Sequence, residues 1–186
     1  PPFQGKAMFL ILDSGAIIFE EKSILRLRGK NLKRLRINMQ MIFQDPYSSL
    51  DPRMSILNAV MEGLTIHNIG DKHDRRERAM EMLRKAGLNE SHAVRYSTEL
   101  SGGQLQRVVI ARALALNPKF IVCDEAISDL DVSVQAQILN LFKELQKKFG
   151  LTYLFITHDL SVIKYISDRV AVMYAGKIVE VAPTKD

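Results

Sequence analysis

Two short stretches of the 186-residue sequence carry the residue types that phosphate chemistry needs. The first is Leu100-Ser-Gly-Gly-Gln-Leu-Gln-Arg107. Ser101 is a good helix N-cap, and Gln104 three residues later completes a capping box. Gly102 and Gly103 leave the backbone bare at that helix start, so an anion could come close. A helix start with open N–H groups and the positive end of its dipole is a ready phosphate site. The second stretch is Phe120-Ile-Val-Cys-Asp-Glu125, an unbroken apolar run ending in two carboxylates. It reads as a strand buried on both faces. Asp124 and Glu125 then stand at its carboxyl end, where open α/β sheets place their ligand chemistry. An anion-seeking helix start followed by a strand that delivers two carboxylates points to nucleotide hydrolysis.

The elements that must hold these residues follow from periodicity and breakers. After Ser101 the apolar positions Leu105, Val108, Val109, Ala113 and Leu116 share one helical face, and Pro118 ends the helix. Upstream, Gly15–Phe19 reads as a strand, residues 31–37 as a short basic helix, and 39–43 as an apolar strand ending at Gln44. Ser55 caps a run in which Ile56, Leu57, Val60, Met61 and Leu64 have helical spacing. Residues 75–86 form a second helix that Gly87 closes. Met54, Met61, Met80 and Met82 read as packing residues. Downstream, residues 133–148 are amphipathic, with Val134, Ile138, Leu141, Phe142 and Leu145 in a stripe and Gly150 at the end. Residues 153–156 read as the next buried strand, with Thr157-His158-Asp159 at its carboxyl end. A hairpin of 169–174 and 177–181 turns at Ala175-Gly176.

These motifs, in this order, resemble the ATP-binding cassette (ABC) family over nearly the whole chain. Leu100-Ser-Gly-Gly-Gln104 is similar to its signature motif, Phe120–Glu125 to its Walker B strand, and Ser128-Asp-Leu-Asp131 to its D-loop. Phe43-Gln-Asp-Pro-Tyr-Ser-Ser-Leu-Asp-Pro-Arg53 and Asp131-Val-Ser-Val-Gln-Ala-Gln137 resemble the ATPase subunits of oligopeptide and dipeptide importers. The resemblance implies a P-loop NTPase-like α/β fold with a largely parallel core sheet and an inserted helical subdomain at 55–98, within one domain covering 1–186. It implies an ATPase that powers peptide import. Its cofactors would be ATP and Mg2+, with Asp124 and Gln44 toward the metal, Glu125 as general base and His158 against the γ-phosphate. Ser101, Gly102, Gly103, Gln104 and Asp131 would meet nucleotide held by the opposite subunit. The implied partners are a second ABC ATPase subunit, transmembrane permease subunits and, indirectly, a solute-binding protein, at the cytoplasmic face of the cell membrane.

Two departures stand out. The family usually places Pro after the Walker B Glu and Ala inside the D-loop, where this sequence has Ala126 and Asp129. The phosphate loop, Gly-x-x-x-x-Gly-Lys-Ser/Thr, is not found among the 186 residues; only Gly5-Lys6-Ala7 is reminiscent of it, and Ala7 has no hydroxyl for magnesium. The expectation is therefore an amino-terminally truncated cassette, and a shortened carboxyl end as well. Two alternatives stay open: a soluble ABC-type ATPase acting on nucleic acid, and a non-catalytic cassette remnant.

Composition bounds these readings. Hydrophobic residues are 47% and charged residues 25%, the balance of a globular protein. No apolar run approaches the roughly 20 residues that span a bilayer. The opening residues do not read as a secretory leader. Cys123 is the single cysteine, which excludes an internal disulfide, and the four histidines are scattered, which argues against structural zinc. The +5 charge draws heavily on 26–36. That run lacks interleaved aromatics for base stacking, so it reads as a solvated face and no nucleic acid is expected.

Overall fold

The computed structural model describes residues 15–184. The residues divide into two compact units, one up to Arg36 and one from Ile37 onward. In the first, β1 (Ile18–Phe19) and β2 (Lys22–Ser23) form a small antiparallel hairpin, shorter than the strand expected from Gly15. Helix α1 (Gly29–Asn38) begins in this unit and buries none of its residues. Its basic run is thus a solvated face, as the charge pattern predicts.

The second unit is built on three parallel strands: β3 (Met39–Ile42), β4 (Phe120–Asp124) and β5 (Thr152–Ile156), in that order across the sheet. Between β3 and β4 the chain forms α2 (Ile56–Ile66), α3 (Lys72–Lys85), α4 (Glu90–Ala93), a single 3₁₀ turn (Ser97–Glu99) and α5 (Gly102–Ala115). Ser55 caps α2, its hydroxyl oxygen accepting the Asn58 N–H. Helix α3 starts three residues earlier than the periodicity predicts, because Asp71 and Asp74 form a capping box there. Both α2 and α3 pack on α5. Met80 and Met82 are buried and Met61 packs against the same core, so these methionines fill space.

Helix α6 (Val132–Phe149) connects β4 to β5 and ends at Gly150, whose φ of 63° is left-handed. Helix α7 (Leu160–Ile166) follows β5, and β6 (Arg169–Tyr174) and β7 (Lys177–Pro183) make an antiparallel hairpin turning at Ala175-Gly176.

Register decides which sheet face is covered. Ile42 lies opposite Cys123, which lies opposite Phe155; Ile121 lies opposite Tyr153. The Phe142 ring of α6 meets Tyr153 and Phe155 edge-on, with centroids 5.4 and 5.1 Å apart, so this face is packed. On the other face Met41, Val122 and Leu154 stand in a row, followed by Asp124 beside Ile156. Leu154 is 48% exposed and Ile156 45%. Residues 153–156 are therefore not a strand buried on both faces: an apolar run does not reveal that only one of its faces is covered. In β4, Ile121 and Cys123 are buried while Phe120, Val122 and Asp124 are half-buried.

Candidate functional site

Parallel register sends all three strands out of the sheet on the same edge. Gln44 leaves β3 there, Asp124 ends β4 with Glu125 just beyond it, and His158 follows β5. Glu125 adopts φ +47°, a left-handed conformation that costs a non-glycine residue about 1–3 kcal/mol. Three bonds hold it. Its N–H donates to the Ile156 carbonyl (2.9 Å), and its own carbonyl accepts from the Ser128 N–H (3.1 Å) and hydroxyl (2.9 Å). So held, Glu125 places Oε1 3.2 Å from His158 Nδ1. The imidazole is exposed and the carboxylate about one-third exposed, which leaves both open to a ligand.

Gln44 and Asp129 form a second contact. The Gln44 amide nitrogen donates to Asp129 Oδ1 at 3.4 Å. Asp129, one of the departures from the family pattern, thus has a partner in the segment that leaves β3. Ala126, the other departure, is buried. Asp131 N-caps α6 through its backbone without a side-chain cap bond and stays exposed.

The third piece is the start of α5. Ser101 and Gln104 form the expected capping box: the Gln104 N–H donates to Ser101 Oγ (3.4 Å) and the Ser101 N–H to Gln104 Oε1 (3.0 Å). That box uses two of the amides an anion would want, and the N–H groups of Gly102 and Gly103 are the ones left over. The two glycines are needed for a different reason than the sequence indicates. A Cβ on Gly103 would sit 2.6 Å from Val134 Cγ1, and one on Gly102 would touch Leu130 at 3.6 Å. The missing side chains admit the start of α6 and the turn before it, while the amides stay open. Among the described residues no hydrogen bond runs directly from this helix start to Glu125 or His158; the 125–134 segment links the two clusters.

The sequence profile of the family described as ABC transporter matches residues 6–128. The chain belongs to the ABC transporter family. It is 55% identical over 174 residues to the oligopeptide transport ATP-binding protein OppF of Bacillus subtilis, covering 92% of this chain and 57% of that protein. It is 51% identical over 184 residues to the glutathione import ATP-binding protein GsiA of Pectobacterium atrosepticum, covering 98% of this chain and 30% of that protein. The chain thus spans between about a third and three-fifths of such relatives. Among solved structures, CbiO1 from Clostridium perfringens, part of the transporter complex CbiONQ, superposes with a TM-score of 0.84 at 32% identity, covering 95% of this chain and 70% of that one. The dimeric cassette MJ0796 bound to ADP and Pi gives 0.78 at 30%, covering 92% and 74%. The fold expectation, an α/β cassette with a parallel core sheet, holds.

Gly5-Lys6-Ala7 lies outside the described residues. No helix of the described residues is long and apolar enough to cross a membrane. A concavity of about 810 Å³ lies away from the cassette motifs, against α3 and Phe149, and on its rim Lys85 pairs with Glu81. Sequence reasoning missed His92. Its ring touches Gln104 of the signature helix, yet it is twelve residues away on another helix, and no local pattern marks it.

Proposed function

We propose that this chain supplies the ATP-binding and ATP-hydrolysing site of a peptide-class ABC importer, acting peripherally at the cytoplasmic face of the membrane. The single observation that carries the reading is the Glu125–His158 contact, 3.2 Å across the ends of adjacent parallel strands. The relatives named for oligopeptide and glutathione import support the substrate class, and the dimeric ADP- and Pi-bound cassette supports both nucleotide and a paired subunit. Permease subunits and a solute-binding protein would complete the system. Residues 55–98 would form the helical subdomain that addresses the permease.

In this reading Glu125 is the general base. Water oxygen bonds to the γ-phosphorus as the bond to the bridging oxygen breaks; that electron pair leaves with ADP, and the water proton passes to the Glu125 carboxylate. His158 orients the γ-phosphate and, 3.2 Å from Glu125, keeps its carboxylate on the site's edge. Ser101, Gly102, Gly103 and Gln104 meet nucleotide carried by the opposite subunit, with Asp131 beside them. The donor set suits Mg2+, which takes oxygen ligands and uses one or two carboxylates together with substrate phosphates. Asp124 supplies a carboxylate, and Gln44, its nitrogen turned to Asp129, offers its amide oxygen. Bound there, Mg2+ would neutralise charge developing on the phosphates.

The test uses the 186 residues, among which no match to the family's phosphate loop is found. The 186-residue chain should bind Mg-ATP weakly alone, yet associate in ATP with a complete homologous cassette subunit. Crosslinking should detect that association, and Ser101→Arg should abolish it. Unchanged association in Ser101→Arg defeats the reading, as would micromolar ATP binding by the lone chain with turnover insensitive to Glu125→Gln.

A further inference from the structure

His92 sits on α4 with its ring between two amide side chains. On one side Nδ1 lies 2.7 Å from Asn89 Oδ1, and on the other Nε2 lies 3.3 Å from Gln104 Nε2. Backbone N–H groups at both ends fix the direction of this relay. The Ser91 N–H donates to Asn89 Oδ1 at 3.0 Å, so that atom is the amide oxygen and only accepts. A proton on His92 Nδ1 satisfies Asn89 Oδ1 at 2.7 Å and leaves Nε2 free to accept. The Asn89 N–H is also placed to donate to Nδ1, at 3.2 Å, in the α4 capping box; the Nε2–H tautomer would satisfy that contact alone, whereas the Nδ1–H tautomer satisfies the contacts to Asn89 Oδ1 and Gln104 Nε2. At the far end the Ser101 N–H donates to Gln104 Oε1 at 3.0 Å, which makes the atom facing His92 the amide nitrogen. Nε2 therefore accepts from Gln104, and one polarity runs from Ser101 through Gln104 and His92 to Asn89.

We propose that His92 is a positioning residue for the signature helix, acting through Gln104. By accepting from the Gln104 nitrogen it holds the Gln104 oxygen on the Ser101 N–H. The capping box then closes in one orientation, and the Gly102 and Gly103 amides are the ones presented. This rests on the reading above that Ser101–Gln104 meet nucleotide. A protonated ring would have a proton on Nε2 as well, setting donor against donor. The Gln104 amide would have to turn its oxygen to His92, leaving the Ser101 N–H unbonded. Charged groups on the elements around α4 have other partners: Arg84 of α3 holds Glu90, Arg107 of α5 reaches the Ala86 carbonyl and Gln137, Glu62 of α2 holds Arg112, and Glu99 accepts the Tyr96 N–H. Arg95 follows directly after the α4 C-cap.

Nitrogen NMR of the 186-residue chain reads this without nucleotide. Neutral His92 should be the Nδ1–H tautomer, and the Ser101 amide resonance should shift with the His92 titration itself. His92→Leu should speed Ser101 amide exchange about five- to tenfold, the loss of one hydrogen bond. His92→Gln, which offers an oxygen acceptor at the end of its side chain, should restore slow exchange and remove the pH dependence. An Nε2–H tautomer, or a Ser101 amide indifferent to the His92 titration, overturns the proposal. If these hold while Ser101→Arg leaves ATP-dependent association intact, the relay stands and the nucleotide role of the signature helix falls.

Discussion

Gly103 has no room for a side chain. A Cβ would lie 2.6 Å from Val134 Cγ1, and a β-branched side chain near the start of a helix has few ways to move aside. Gly103→Ala gains helix propensity of up to about 1 kcal/mol but overpacks a contact worth roughly 1–3 kcal/mol. The expected net effect is a loss of about 1–2 kcal/mol in denaturant unfolding. Val134→Ala should recover most of it, and a double mutant that is simply additive would mean that the two sites do not touch. Gln106, three residues on, is 1% exposed, and neither of its amide atoms has a hydrogen-bond partner among the described residues. Gln106→Met removes that unmet polarity and should be neutral or stabilising by up to about 2 kcal/mol; a clear loss of stability would reveal a partner that the amide does have. At this scale the sequence shows what is local. The Ser101–Gln104 box is three residues long and can be read directly. The left-handed Glu125 cannot, since nothing in a glutamate announces φ +47°. Nor can the packing need behind Gly103, whose partner lies on another helix.

Among elements, α3 shows how a cap moves a boundary. Lys72-His-Asp74 has no apolar periodicity, so the hydrophobic pattern begins the helix near Arg75, whereas the Asp71 carboxylate begins it at Lys72. That carboxylate accepts the Asp74 and His73 N–H groups, and those bonds hold its pKa below the ordinary carboxylate value. A folded pKa lowered below the unfolded one gives stability that is fully present above the unfolded value and lost as pH falls through the folded value. Asp71→Asn keeps a capping oxygen without the charge. Wild type should therefore exceed it in urea midpoint near neutrality, the gap closing as pH drops below the carboxylate range. A gap that stays constant with pH would remove Asp71 from the account. The helical elements absent from the sequence reading, α4, the 3₁₀ turn and α7, have four, three and seven residues. Such lengths are too short to nucleate alone, so they form only where caps and packing hold them. By contrast α2, α5 and α6 were legible from periodicity, caps and Gly150.

At the scale of the whole molecule, the apolar surface left open is the main physical fact. Along the hairpin, Met173, Tyr174, Ile178, Val179 and Val181 are each more than half exposed, and Tyr174 reaches 76%. Its two strands pair with each other alone among the described residues. A two-stranded hairpin is marginal in water by itself, and its outer edges present unpaired backbone groups. Separately, Leu154 and Ile156 stand on the open face of the parallel sheet. Exposed apolar surface of this kind marks contact with another macromolecule or a tendency to self-associate. The 186-residue chain in isolation should therefore show a weight-average mass that rises with concentration in sedimentation equilibrium, and it should bind a hydrophobic dye. Met173 and Ile178 face each other across the hairpin, so Met173→Lys combined with Ile178→Glu replaces an apolar pair with an attractive cross-strand ion pair. That variant should shift association to higher concentration without lowering the thermal midpoint. A chain that is monomeric at every concentration, or a variant that associates as strongly as wild type, would show that the hairpin is not the adhesive surface.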